Sequence, residues 1–154
     1  RMANTHTQIY VQVVFAVEGR QSIIPQDKRE ERHKYITGIV TPQKQKLIAI
    51  NSGPDPIHVL IGQKPDLALS NLVGGIKTGS TNHINRSRWV CGRFSWQEGF
   101  GAFSYSHSQL GTVICYIQNQ EQPHARKTLG DEYLALLDRF EVPHDERHIF
   151  KPAG

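Results

Sequence analysis

Cysteine is scarce in this chain. Cys91 and Cys115 are too few for a disulfide scaffold, and they lack the paired spacing of a zinc site. That usage suits a reducing cytoplasm. Long apolar runs are missing as well. No segment approaches the roughly 20 residues that a bilayer span needs. The N-terminal residues also lack the apolar centre of a secretory signal, so the expectation is a cytoplasmic protein with no membrane partner. Arg1 stands before Met2 and reads as an expression remnant, with the natural chain beginning at Met2. There is no internal repeat and no low-complexity tract, which leaves one domain over residues 2–154.

The 154 residues suffice for one core and are too few for two ordinary ones. Hydrophobic residues make up 38% and charged residues 21%, a globular composition rather than that of a disordered chain. The formal net charge of +4 is compatible with a polyanionic partner such as nucleic acid, although charge alone does not select one.

Period-two alternation of Ile9, Val11, Val13 and Phe15 predicts a strand that stops at Gly19. Pro25 can open a helix, carried by a charged run into Tyr35, Ile36, Ile39 and Val40 and ended by Pro42. Leu47, Ile48 and Ile50 predict a second strand, and Ile57 to Ile61 a third, paired back across the turn Asn51-Ser52-Gly53-Pro54-Asp55. A second helix is expected from Pro65-Asp66 through Leu67, Leu69, Leu72, Val73 and Ile76, weakened by Gly74, Gly75 and Gly79. The aromatic stretch Phe94 to Tyr105 is the fourth-strand candidate, with Phe103 and Tyr105 on one face. Ser108 is expected to cap a third helix bearing Leu110, Val113, Ile114 and Ile117, and Thr128 to Phe140 a fourth. The order β-α-β-β-α-β predicts an α+β fold: a ferredoxin-like, RRM-like split βαβ antiparallel sheet with helices on one face and extra C-terminal helices. Such sheets serve many functions, so the fold does not choose among them.

Tyr116 and Gln120 lie four apart on the third helix and so project from one face. A phenol can act as a nucleophile toward phosphorus, and an amide oxygen can hold a hard divalent cation beside it. The same spacing suits a tyrosine at the edge of a helical core with a wet hydroxyl. His58 falls inside an apolar strand, where a lone histidine is more often structural than a ligand, and Pro56 occupies the position where a second imidazole would share its face. Lys77, Arg86, Arg88 and Arg93, interleaved with Trp89, Phe94 and Trp96, read equally well as phosphate contacts with base-stacking surfaces and as a basic helix end beside core aromatics.

Four stretches together carry a family resemblance. They are Leu47-Ile48-Ala49-Ile50-Asn51, Pro54-Asp55 through His58-Val59-Leu60-Ile61, residues 94–104 with their glycines and aromatics, and Tyr116-Ile117-Gln118-Asn119-Gln120. In this order the chain resembles the IS200-like insertion-sequence transposases, the single-tyrosine members of the HUH class. The resemblance implies that Tyr116 is the nucleophile toward a single-stranded DNA phosphate. It would leave a 5′-phosphotyrosine and a free 3′-hydroxyl, with rejoining that needs no ATP. It further implies that His58 and Gln120 are metal ligands for Mg2+ or Mn2+, which orients and polarises the phosphate. Hairpin-bearing single-stranded DNA is the implied partner, and a homodimer the implied assembly, with Gly99 and Gly101 able to let the tyrosine helix swing.

One departure bears on activity. Where the family has the first histidine of its His-hydrophobe-His motif, this chain has Pro56, which offers no donor atom. Since changes around a ligand already cost about 10–100-fold, loss of a ligand is expected to cost at least as much. Asp55 would point to the opposite face and not fill the gap. Two readings therefore stand: a DNA transposase of impaired activity, and a hairpin-binding protein of the same fold that no longer cuts. A third is an RNA-binding module that uses the sheet aromatics.

Overall fold

A computed structural model describes residues 6–19, 24–40, 45–52 and 56–118. Within them the order is β1 (Tyr10–Phe15), α1 (Gln26–Val40), β2 (Lys46–Ser52), β3 (Ile57–Gly62), α2 (Leu69–Ser87), β4 (Gly101–Tyr105) and α3 (Leu110–Gln118), the last entered through a 3-10 turn at His107–Gln109. The four strands form one antiparallel sheet in the order β2-β3-β1-β4, so the expected α+β split βαβ arrangement is present. The expected fourth helix and Gln120 fall outside the described residues.

The central position of β1 and β3 follows from their composition. Val11 to Phe15 and Ile57 to Ile61 are buried on both faces, which only inner strands flanked by pairing partners can be. One face carries Val11, Val13 and Phe15 beside Ile57, Val59 and Ile61, and onto it pack Ile36 and Val40 of α1 with Leu72, Val73 and Ile76 of α2. Each such side chain contributes about 1.5–3 kcal/mol on burial. The two βαβ helices thus share a face, as expected. The added helix α3 takes the other one, where Val113 and Ile117 close on Ala49 and Leu60.

Three local expectations shift. Helix α2 begins at Leu69 rather than at Pro65-Asp66, because Ala68 is its N-cap: the Ala68 carbonyl accepts from the Asn71 and Leu72 amides. The fourth strand is confined to Gly101–Tyr105; upstream, only Trp96 bridges to Val17, and Gly99 at φ +82° turns the chain between the two pairings. Helix α3 is capped from Ser106, whose amide donates to Gln109 Oε1 at 2.8 Å, and Ser108 lies inside the 3-10 turn. Gly79 also has a reason to be small, since a Cβ there would stand 2.7 Å from Ile39 Cδ1 on α1.

Candidate active site

Tyr116 and His58 meet within a single chain. Helix α3 buries Val113 and Ile117 against the sheet, which leaves Tyr116, one residue before Ile117, at the helix border with 39% of its surface exposed. His58 projects from β3 on the same face of the sheet as Leu60 and is 1% exposed. Their ring centroids are 5.8 Å apart with the planes at 88°, an edge-to-face contact. A solvent-reachable phenol thus rests on a buried imidazole. Burial holds the His58 pKa down at about 4, so the ring is neutral at physiological pH.

A buried imidazole in an apolar strand needs polar partners. They come diagonally across the sheet. Gln12 is paired with Leu60 and Phe103, so His58 and Tyr105 each stand two residues from its cross-strand partners. Tyr105 donates its hydroxyl to Gln12 Oε1 at 2.6 Å, and Gln12 Nε2 donates to His58 Nδ1 at 2.9 Å. Sequence reasoning missed Gln12 and Tyr105 as site residues. The available signal was a lone amide, Gln12, between Val11 and Val13 in an otherwise apolar run.

These contacts bear on the implied cation. Pro56 is buried at the head of β3 and has no side-chain donor atom. His58 Nδ1 is engaged by Gln12, and its Nε2 is enclosed, with almost no surface of its own open to solvent. With no donor atom at Pro56 and the His58 ring enclosed, the two motif positions as they stand do not fit a divalent ion.

The basic residues divide into two groups. Lys77 is turned inward: its ammonium donates to the carbonyls of Gln97 at 2.9 Å and Gly99 at 2.5 Å and lies 5.6 Å over the Phe15 ring. Burial lowers its pKa, and the nearby Glu98 carboxylate works in the opposite direction. Lys77 therefore clamps the turn before β4. Arg86, Arg88 and Arg93 are exposed. They lie near the C-terminal end of α2, where Ile84 packs on Val17 and Phe94, the same end of the sheet as His58. Arg88 adopts a left-handed conformation, φ 54°, and closes α2 through its amide to Asn85 and that of Trp89 to Ile84. The neighbouring aromatics do not form an open stacking platform. Phe94 is 1% exposed, with its backbone gripped at both ends by the Asn85 amide, and the Trp96 indole donates to Ser80 Oγ. On the sheet, Phe103 is buried and Tyr105 is committed to Gln12, which leaves the RNA-binding reading without its surface among the described residues.

Other described features are neutral toward this site. Both cysteines are free and exposed. No described helix is long and apolar enough to cross a membrane.

Among solved structures, a protein from Deinococcus radiodurans assigned as a transposase is similar at 19% identity with a TM-score of 0.58, covering 78% of this chain and 96% of the other. A REP-associated tyrosine transposase bound to a REP hairpin is similar at 13% identity with a TM-score of 0.60, covering 100% of this chain and 96% of the other. At these identities the likeness shows a shared fold. No significant match is found among curated proteins. The sequence profile described as "Transposase IS200 like" matches residues 5–120, three quarters of the length and a span that includes β1, β3 and the tyrosine helix, and the chain belongs to that family.

Proposed function

We propose that this protein is a single-stranded-DNA strand-transfer enzyme in which Tyr116 is the nucleophile. The observation that carries the reading is the contact of an exposed phenol with a buried, neutral imidazole at the junction of α3 and β3. The solvent-facing phenol gives up its proton to water as its oxygen attacks a DNA phosphorus. The new P–O bond to Tyr116 forms, the bond to the 3′-oxygen breaks, and that oxygen takes a proton to become a 3′-hydroxyl. Because one phosphoester replaces another, reversal by a second 3′-hydroxyl rejoins DNA without ATP. Arg86, Arg88 and Arg93, at the same end of the sheet as His58 but on the side of α2, supply phosphate contacts. DNA hairpins as the recognised form, and a homodimer as the working assembly, belong to the same proposal. The related transposase bound to a REP hairpin supports the first.

The resemblance implies Mg2+ or Mn2+ held by His58 and Gln120. Gln120 lies outside the described residues, and the His58 and Pro56 positions as they stand do not fit the ion, so no step above is routed through it. Buried Pro56 favours a second reading, a hairpin-binding protein that does not cut.

Incubation with hairpin-bearing single strands and Mn2+ separates the two. A covalent protein–DNA adduct in the wild type that is lost in Tyr116→Phe is the expected result. Hairpin binding with no adduct would replace the first reading with the second. Pro56→His should raise both Mn2+ affinity and cleavage, by about 10-fold or more.

A further inference from the structure

We propose that His58 is a positioning residue for Tyr116: its ring, braced from within the sheet by Gln12 and Tyr105, is the fixed surface that holds the phenol, and it is not a cation ligand. This rests on the reading of Tyr116 as the nucleophile, and it concerns how the tyrosine is kept in place on a strand that recruits no metal ion.

A side chain that ligates a cation must present a lone pair to a space that also holds the ion and its other ligands. Neither ring nitrogen of His58 does so. Nδ1 stands 2.9 Å from the Gln12 side-chain amide, and it is engaged whichever end of that amide faces it. Nε2 has almost no surface of its own open to solvent, and the residue as a whole is 1% exposed. Earlier on the same strand, Pro56 adds no donor atom. What the imidazole does present is a surface to the Tyr116 ring, with the centroids 5.8 Å apart and the planes at 88°.

Tyr116 needs such a surface. It lies at the border of α3, 39% exposed, and a long helical side chain there has more than one open χ1 rotamer, each of which sends the hydroxyl to a different place. Val113 and Ile117 fix the helix on Ala49 and Leu60, and the ring contact fixes the tyrosine side chain. The brace behind the imidazole spans three strands. Gln12 of β1 is 0% exposed and bonds both to His58 of β3 and to the Tyr105 hydroxyl of β4, 2.6 Å from its Oε1. Pairing on both sides sets the register of β1 and β3, so the imidazole plane cannot turn without breaking a buried hydrogen bond.

The imidazole thus acts through its shape and its fixity, and a ring without nitrogens should stand in for it. In protein carrying 13C-labelled tyrosine, the ring shifts of Tyr116, assigned by their loss in Tyr116→Phe, are expected to move in His58→Ala and to return toward wild type in His58→Phe. Unmoved shifts in His58→Ala would overturn the proposal. At saturating hairpin DNA, adduct formation should slow by about 10-fold or more in His58→Ala with hairpin affinity kept, and His58→Phe should recover most of that loss. A folded His58→Phe as slow as His58→Ala would show that the ring nitrogens are needed, and would overturn it as well. Should the orphaned Gln12 amide prevent folding, Gln12→Leu combined with His58→Phe replaces both polar partners by apolar groups of similar shape and carries the same expectations. Binding of Mn2+ alone, read by electron paramagnetic resonance, should be the same with and without His58→Phe, in the wild-type chain and in Pro56→His. A loss of about 10-fold or more in either would make the imidazole a ligand and end the proposal. The two readings fail separately. No adduct in wild type, with the tyrosine shifts and Mn2+ binding as expected, refutes the nucleophile alone; an adduct lost in Tyr116→Phe, with Mn2+ affinity that depends on His58, refutes the positioning role alone.

Discussion

Acid should weaken this fold through one buried ring. His58 titrates near 6.5 in an unfolded chain and at about 4 in the folded protein, because burial disfavours its charged form. The unfolded state therefore binds a proton between pH 6.5 and about 4 that the folded state refuses. Stability is fully present above 6.5 and is lost as the pH falls through that window. At 1.36 kcal/mol per pKa unit, the displacement from 6.5 to about 4 amounts to about 3 kcal/mol, a large share of the 5–15 kcal/mol typical of a domain. His33 is lowered over the same range, first by burial and then by Arg32 and Arg29, but it is partly exposed and contributes less. Urea unfolding of wild type, His58→Gln and His33→Gln at pH 7.5, 5.5 and 4.5 isolates the two. His58→Gln loses the Gln12 hydrogen bond and starts less stable at pH 7.5. Its deficit relative to wild type should shrink by about 3 kcal/mol as the pH falls. A deficit that stays constant with pH would refute the assignment of a neutral buried ring.

Helix α2 offers a paired test. Gly74 has open space where a Cβ would go, so Gly74→Ala should stabilise by about 0.5–1 kcal/mol, whereas Gly79→Ala must push Ile39 Cδ1 aside and should give none of that gain. Equal thermal shifts in the two variants would contradict this packing. Arg88 spends backbone strain at φ 54°, so Arg88→Gly should raise stability by about 1 kcal/mol while weakening hairpin binding; a lower melting temperature would argue against the strain. For DNA, Arg86→Ala and Arg93→Ala should each reduce the slope of log affinity against log salt by about 1. Lys77→Met should leave the slope intact and loosen the 97–99 turn. A flattened slope for the lysine variant would place its ammonium on DNA.

The family and the broad architecture were legible because they rest on local signals. Alternation in β1 and β3 and the apolar stripe of α2 read directly as elements, and their order restricts the sheet to few topologies. Boundaries were less legible. Pro65-Asp66 carries a helix-start signal that Ala68 takes over, and the aromatic run from Phe94 predicts a strand that the turn at Gly99 and the Lys77 clamp interrupt. Lys77 was grouped with the arginines because charge and spacing do not tell which way a half-buried cation turns.

Residue types and their order along the chain were enough to name the phenol, the imidazole and the proline that departs from the motif, since each is a chemical identity that needs no neighbour to define it. Only the tertiary structure decided that α3 covers the second sheet face, that Tyr116 rests on His58, and that Gln12 and Tyr105 stand behind the ring. The two hydrogen bonds join positions 46 and 93 residues apart through strand register, the ring contact joins positions 58 apart through the packing of α3 on the sheet, and neither register nor packing is carried by a single segment.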